Sequence, residues 1–288
     1  MYRTVLICAA LCLAWTALEV CSAQDIRVPD STIAGAEATI LTTGSGKATF
    51  YLLGPGVSRK SDVSLGEEIH LAALELRNAG EYLAVVCSTA CRSASFYVTA
   101  SKPASITFLV HPSRVPVSQG EAVSGVVLPF DQFHNQVLTP IAINFQLTTE
   151  GASLFSQPAR TQDGIAWFRT ASSKSAGTLQ VVASLDDLSV RRAVQQVASD
   201  ACNLRITGQR TPVGVMVETE PVHDCAGNIL PDGTIITFTA TEQNRKSTVD
   251  APIKRGIARA LMTEQNAAVI SVASGVTLGN ELRIGGKP

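Results

Sequence analysis

Three stretches of the chain are similar in sequence and recur at a spacing of about 93 residues. Asn135 recurs as Asn228, and Phe145 recurs as Phe238. Two tripeptides recur at nearly the same spacing: Gly-Ile-Ala at 164–166 and 256–258, and Val-Ala-Ser at 182–184 and 272–274. A looser copy precedes both, in which Phe50 corresponds to Phe145. Self-similarity at a fixed period indicates a tandem array of related domains.

The amino terminus has the pattern of a signal peptide. Arg3 precedes an apolar run at residues 5–18, and the small residues Cys21-Ser22-Ala23 follow. The run is shorter than the roughly 18 to 20 residues that span a bilayer, so we expect residues 1–23 to be removed and the mature chain to be secreted or periplasmic. The alternatives are an uncleaved membrane anchor and a lipoprotein with Cys21 as the lipidated residue.

Length and charge restrict what the mature chain contains. Residues 24–288 would be almost fully used by three Ig-sized units of about 90 residues. Proline and short polar residues interrupt the apolar runs near 100–103 and 198–201, which predicts domains at 24–101, 102–199 and 200–288. The formal net charge of −1 gives no sign of attraction to nucleic acid. No later apolar stretch predicts a membrane span after signal cleavage.

Short runs of Val, Ile, Thr and Phe fill the mature sequence, as at 105–110, 141–147 and 234–239. Gly, Pro, Asp or Asn break them about every 8 to 12 positions, a spacing typical of an all-β sandwich. Residues 68–77 have the best helical propensity, but the repeat aligns them with 164–173, so we predict a strand there. The predicted fold class is all-β, with three tandem Ig-like β-sandwich domains after the signal peptide.

Four cysteines remain after residues 1–23: Cys87, Cys91, Cys202 and Cys225. An even number in an exported protein indicates two disulfides. We predict Cys87 with Cys91 and Cys202 with Cys225, because each pair then falls inside one repeat. A zinc site is the alternative, but His223 is the one nearby histidine, and it would complete only three ligands.

The last two repeats share one order of motifs. Each has a loop that begins with Asp and ends with Asn, at 131–135 and 224–228, followed by a strand that contains Phe, a strand that starts with Gly, and a Val-Ala-Ser strand. This order resembles the bacterial Ig-like domains of the invasin and intimin type over roughly residues 104–286. The resemblance implies two packed sheets of about seven strands, used as stalks and adhesive modules, with no catalysis and no cofactor.

The first repeat departs from that pattern. It lacks the Asp/Asn loop and instead contains Gly80-Glu81-Tyr82. This tripeptide resembles the tyrosine corner of Ig sandwiches, in which a buried phenol bonds to the backbone at a sheet edge. Ala84 stands where the corner's partner cysteine would be. We therefore predict an Ig-like first domain of a different subfamily.

Trp167 is the single tryptophan outside residues 1–23, and Arg259 is its counterpart in the third repeat. A strand position that accepts Arg in a related copy is expected to face solvent, with its two sequence neighbours facing inward. An exposed Trp167 beside Phe133 or His134 could stack on a sugar or anchor a protein, so these three are the candidate partner-binding residues. The alternative is a tryptophan packed at the rim of its own domain.

The sequence contains no nucleophile elbow, zincin motif or penicillin-binding motif, so we predict a protein that is not an enzyme. Calcium between domains is an open alternative for the loop acids Asp131, Asp186, Asp187, Asp224 and Asp232.

The predicted function is that of a structural, adhesive or protein-binding module in the bacterial envelope, with an unknown protein or glycan as partner. A carbohydrate-binding or enzyme-accessory module is the alternative. Proline and charge on expected edge strands favour a monomer, at Pro103, Pro112, Pro116, Arg191 and Arg192.

Overall fold

The computed structural model describes residues 25–149, 152–243, 245–263 and 267–285. The predicted signal peptide, residues 1–23, lies outside the described residues. The regular elements in the described part are β-strands. No helix in that part has the length and apolarity needed to cross a membrane. The chain divides into two compact units, one ending at Ser101 and the other beginning at Lys102.

The first unit is a sandwich of two sheets. Its strands are β1 (Ile26–Arg27), β2 (Ser31–Ile33), β3 (Ala38–Thr42), β4 (Lys47–Gly54), β5 (Val57–Ser64), β6 (Glu68–Leu71), β7 (Gly80–Cys87) and β8 (Cys91–Thr99). One sheet has the order β1-β3-β6 and the other β2-β8-β7-β4-β5. Alternate side chains point into the space between the sheets, where Phe50, Tyr82 and Ile40 are fully buried.

Tyr82 forms the predicted corner of the first unit. Its hydroxyl donates to the carbonyl oxygens of Asn78 (2.9 Å) and Glu75 (3.3 Å), and burial raises its pKa. The segment that supplies these carbonyls corrects one expectation, because residues 68–77 are not strand throughout. The strand β6 ends at Leu71, and a turn follows in which the Glu75 carboxylate accepts a hydrogen bond from the backbone nitrogen of Ala72. The turn presents its carbonyl groups to Tyr82, which a continued strand would not do.

The second unit contains the second and third repeats, each built from its own sheets. The second repeat has β9 (Ser105–His111), β10 (Arg114–Pro116), β11 (Val123–Phe130), β12 (Ala142–Thr149), β13 (Ala152–Arg160), β14 (Ala166–Thr170), β15 (Gly177–Leu185) and β16 (Leu188–Val197). Its small sheet has the order β14-β11-β9, and its large sheet has the order β10-β16-β15-β12-β13.

The third repeat has β17 (Ala201–Asn203), β18 (Ile206–Thr211), β19 (Gly214–Thr219), β20 (His223–Asp224), β21 (Ile235–Glu242), β22 (Arg245–Pro252), β23 (Arg259–Met262), β24 (Ala268–Ser274), β25 (Thr277–Leu278) and β26 (Leu282–Ile284). Its small sheet is β18-β19-β23, and its large sheet is β22-β21-β24-β25, with β26 also on β24. A two-stranded ribbon, β17-β20, completes it.

The predicted all-β class of tandem Ig-like sandwiches is confirmed, whereas the domain limits at 102–199 and 200–288 stay a prediction.

The two repeats of the second unit fill equivalent core positions in different ways. Phe145 and Phe238 are fully buried at matching places on β12 and β21. On the small sheets, Gly125 lies opposite Phe168 in the second repeat. A Cβ atom at Gly125 would come within 2.9 Å of the Phe108 ring and would overlap the Phe168 ring. The third repeat places Val217 opposite Ala260, so a larger residue on one strand accompanies a smaller one on its neighbour.

Candidate partner-binding face

The outer surface of the small sheet in the second repeat carries a row of exposed apolar side chains. Leu109, Val126 and Trp167 are cross-strand partners on β9, β11 and β14. Trp167 is 64% exposed and Leu109 is 60% exposed, while Val126 is half-buried between them. The sequence neighbours of Trp167, Ala166 and Phe168, are buried, so the predicted orientation of the tryptophan is confirmed.

The next row of the sheet extends this surface. Leu128 pairs with Thr107, and Ile165, two residues before Trp167, is 39% exposed. Leu128 lies two residues after Val126 on β11 and therefore points to the same side of the sheet. Ile165 directly precedes β14 and forms a bridge with Gln162. We call the surface formed by Leu109, Val126, Leu128, Ile165 and Trp167 the Trp167 face.

The opposite border of the Trp167 face is polar. Ser124 pairs with both His111 and Arg169 in the row beyond Val126. Arg169 is held by Glu121, whose backbone carbonyl accepts from Nε (3.0 Å) and whose carboxylate lies 3.4 Å from a guanidinium nitrogen. An apolar centre with a polar border is the usual anatomy of a protein-binding surface.

Trp167 offers the largest apolar side chain on this face for burial against a partner. Single exposed apolar residues are ordinary on protein surfaces, but a contiguous patch marks a candidate interaction site. Covering the exposed part of an indole removes on the order of 150 Å² from water, which favours association by about 3 to 4 kcal/mol before the costs of binding. Trp167 therefore has the size and exposure of an interface anchor.

Phe133 and His134 lie on a different element from Trp167, which lies in β14. They belong to the loop that follows β11, which begins five residues beyond Val126, or about 17 Å along an extended strand. The Asp131 carboxylate accepts hydrogen bonds there from the backbone nitrogens of Phe133 (2.8 Å) and Asn135 (2.9 Å). Phe133 is half-buried and His134 is exposed at the tip of this turn. The three candidate residues are thus divided between a sheet face and a loop.

The third repeat has a threonine and an ion pair where the second repeat has the apolar row. Thr207, Glu218 and Arg259 are the cross-strand partners there. The Arg259 guanidinium binds the Glu218 carboxylate at 2.6 Å (Nε to Oε2) and 3.3 Å (Nη2 to Oε1). The hydrogen bond from Arg259 holds the pKa of Glu218 below its ordinary value, and the same bond raises the pKa of Arg259. Identical strand registers thus present chemically opposite surfaces.

Both predicted disulfides are present. Cys87 and Cys91 are register partners at the ends of β7 and β8, with Cα atoms 4.0 Å apart. Cys202 lies in β17, and Cys225 directly follows β20, the strand with which β17 pairs, with Cα atoms 4.8 Å apart. The second bridge closes a loop with a sequence separation of 23, which is worth on the order of 3 kcal/mol by chain entropy.

Asp224, one of the loop acids considered for calcium, uses its oxygens for hydrogen bonds to the backbone. The Asp224 carboxylate accepts hydrogen bonds from the backbone nitrogens of Ser199 (3.0 Å), Ala226 (2.9 Å) and Asn228 (2.8 Å). A carboxylate bound in this way acts as a turn anchor. Within residues 25–149, 152–243, 245–263 and 267–285, no three His, Cys, Asp or Glu side chains are grouped to hold a metal ion.

The fold is that of tandem Ig-like β-sandwich proteins. FdeC, an Escherichia coli adhesin, shares the fold with a TM-score of 0.64 over 92% of this chain and 97% of its own, at 16% identity.

Two further solved structures share the fold. Yersinia pseudotuberculosis InvD has a TM-score of 0.51 over 92% of this chain and 98% of its own, at 9% identity. Invasin, a bacterial integrin-binding protein, has a TM-score of 0.50 over 93% of this chain and 60% of its own, at 11% identity. No protein-family model matches the chain, and no curated protein matches it. The resemblance to invasin-type Ig-like domains is confirmed as a likeness of fold.

Proposed function

We propose that this chain is an exported, non-catalytic Ig-like repeat protein that acts as an adhesive or protein-binding module in the bacterial envelope. The Trp167 face is its contact surface. The observation that carries this proposal is the apolar row of Leu109, Val126 and Trp167, in a register where the third repeat has an ion pair. A sandwich needs no apolar side chain at these outward positions, since the third repeat folds with charges there.

Separate features support the proposed cellular location. The signal-peptide pattern at residues 1–23 and the two disulfides fit an oxidising compartment, either the periplasm or the exterior. FdeC, an adhesin with the same fold, supports an extracytoplasmic role. Three domains at 24–101, 102–199 and 200–288 complete the proposed architecture.

The edges of the second repeat support a monomer. The edge strand β10 ends at Pro116, which has no amide proton to offer to another chain. The neighbouring strand β16 exposes Arg191 and Arg192 beyond the three residues that β10 covers. Proline and charge at sheet edges oppose pairing with a second copy.

The proposal is tested with beads coated with the oxidised mature chain, residues 24–288. Binding to panels of immobilised envelope and extracellular proteins is compared for the wild type, Trp167→Ala and Arg259→Ala. The Arg259 variant is a matched control, because it truncates the equivalent exposed position of the third repeat. Loss of an anchor worth about 2 kcal/mol weakens binding roughly 30-fold, so we expect Trp167→Ala to lose binding and Arg259→Ala to keep it.

Two results would contradict the proposed function. Equal binding by Trp167→Ala and Arg259→Ala would show that the Trp167 face does not contact the partner. Binding to a glycan array in place of the protein panel, lost in Trp167→Ala, would favour the carbohydrate-binding alternative. The polar border of Ser124, His111 and Arg169 beside the indole gives that alternative its specific support.

A further inference from the structure

The loop between β20 and β21 reaches from the third repeat to the second. The side chain of Asn228 donates from Nδ2 to the carbonyl oxygen of Lys174 (2.8 Å) and accepts at Oδ1 from the backbone nitrogen of Ala176 (2.9 Å). One amide side chain thus pairs with the backbone of the loop before β15. Because both its donor and its acceptor are engaged, this contact fixes an orientation as well as a distance.

Asp224 holds Asn228 in the position for that contact. Its carboxylate accepts from both the backbone nitrogen and Nδ2 of Asn228, the latter at 3.0 Å to Oδ2. The same carboxylate accepts from the backbone nitrogen of Ser199, which lies in the linker between β16 and β17. Asp224 is buried, so these bonds are shielded from competing water. A single side chain therefore joins the linker, the loop and the Asn228 contact.

The Cys202–Cys225 disulfide closes this arrangement on the side of the third repeat. Cys225 directly follows Asp224, and Cys202 lies in β17 one residue after Ala201, the register partner of Asp224. The ribbon of β17 and β20 has only two paired positions, and so short an isolated pair is marginal by itself. The bridge is the one covalent restraint that keeps the Asp224 loop against the linker. Both cysteines are solvent-exposed, so a reductant can reach the bond.

We propose that Asn228, Asp224 and the Cys202–Cys225 bridge form a thiol-sensitive lock between the second and third repeats. In the oxidised chain the bridge keeps the loop in place, and Asn228 holds the two repeats in one orientation. A dithiol reductant breaks the sulfur–sulfur bond: two electrons and two protons pass to the cysteines, which become thiols, and the reductant becomes a disulfide. The loop then leaves the linker, and the repeats reorient while each stays folded. This lock does not depend on the proposed adhesive function.

The experiment measures amide hydrogen exchange by NMR in the mature chain, in a Cys87→Ser, Cys91→Ser background that leaves one bridge. The reporter is the backbone amide of Ala176, the group that donates to Asn228. The amides of Val181 and Phe238, in the central strands β15 and β21, report on the folding of each repeat. Dithiothreitol supplies the reductant. Residual dipolar couplings measured on the same samples report whether the repeats share one alignment tensor.

We expect reduction to raise the exchange rate of the Ala176 amide at least tenfold, with the Val181 and Phe238 amides unchanged and with separate alignment tensors for the two repeats. With the bridge intact, Asn228→Ala should likewise raise the exchange rate of the Ala176 amide and separate the two alignment tensors. The control variant Asn203→Ala, in β17 beside the bridge, should leave the Ala176 amide protected. If Ala176 stays protected after reduction, the bridge does not control the contact and the proposal is wrong. If Phe238 loses protection together with Ala176, the bridge serves only to keep the third repeat folded, and the lock is equally refuted.

Discussion

The small sheets of the second and third repeats have the same register and opposite outer surfaces. Leu109, Val126 and Trp167 occupy the positions that Thr207, Glu218 and Arg259 occupy one repeat later. The inner sides of the same strands are apolar in both copies. Packing therefore restricts the inward side chains of each strand, while the outward side chains are free to acquire a separate role in each copy.

The largest expected effect comes from exchanging core residues between the copies. Phe168→Ala should destabilise the chain by about 3 to 5 kcal/mol, because it leaves a cavity beside Phe145, whose ring centroid lies 4.8 Å away. Gly125→Val alone should also destabilise it, because the new side chain overlaps the Phe168 ring. The double variant reproduces the third repeat's own pairing and should recover part of the loss. Denaturant unfolding measures the free energy of unfolding of the two single variants and the double variant. If the double variant loses as much stability as the two single variants together, the two repeats do not pack these positions equivalently.

The next effect concerns binding. Val126→Glu with Trp167→Arg gives the second repeat the surface of the third and should weaken partner binding at least tenfold in the bead assay. Its unfolding free energy should change by less than about 1 kcal/mol, because these positions face solvent. The reciprocal variant, Glu218→Val with Arg259→Trp, should bind more strongly than the wild type. Unchanged binding by both variants would show that the difference between the two outer surfaces does not affect partner binding.

A smaller effect is expected from pH. Burial by itself would raise the pKa of Asp224, but hydrogen bonds from Asn228, Ser199 and Ala226 outweigh it and hold the pKa below its ordinary value. The stabilisation from this carboxylate is therefore fully present above its unfolded-state pKa of about 4 and is lost as the pH falls through the lower folded-state value. Thermal unfolding from pH 6 to pH 2 should show the wild type and Asp224→Asn converging at low pH. A constant gap between them would assign the effect of Asp224 to something other than its charge.

The smallest effect is expected at the ion pair of the third repeat. Arg259→Gln should return the pKa of Glu218 upward to its ordinary value, which an NMR titration of the side-chain carboxyl measures. The thermal stability should not change measurably, because exposed ion pairs contribute little. A clear fall in the unfolding temperature would mean that the charged face supports the third repeat in a way that the apolar face does not support the second.

The sequence was sufficient for the class of fold, the two disulfides and the direction in which Trp167 points. Alternation along strands and the repeat spacing carry this information, because inward positions must be apolar in every copy. The same reasoning was wrong over residues 72–77, where a turn replaces the predicted strand. The signal for that turn lies in Tyr82, since its hydroxyl needs the free carbonyl groups of Glu75 and Asn78.

Strand pairing decided which residues accompany Trp167. Leu109 and Val126 are distant in sequence from the tryptophan and become its neighbours only through the register of β9, β11 and β14. Phe133 and His134, the companions that the sequence favoured, lie in a loop at the end of β11. The sequence alone predicted the outward direction of Trp167 and the two cysteine pairs, because strand alternation is a local pattern and each pair falls inside one repeat. Which exposed residues form one surface follows from the tertiary structure, because cross-strand register is a long-range property that no local pattern specifies.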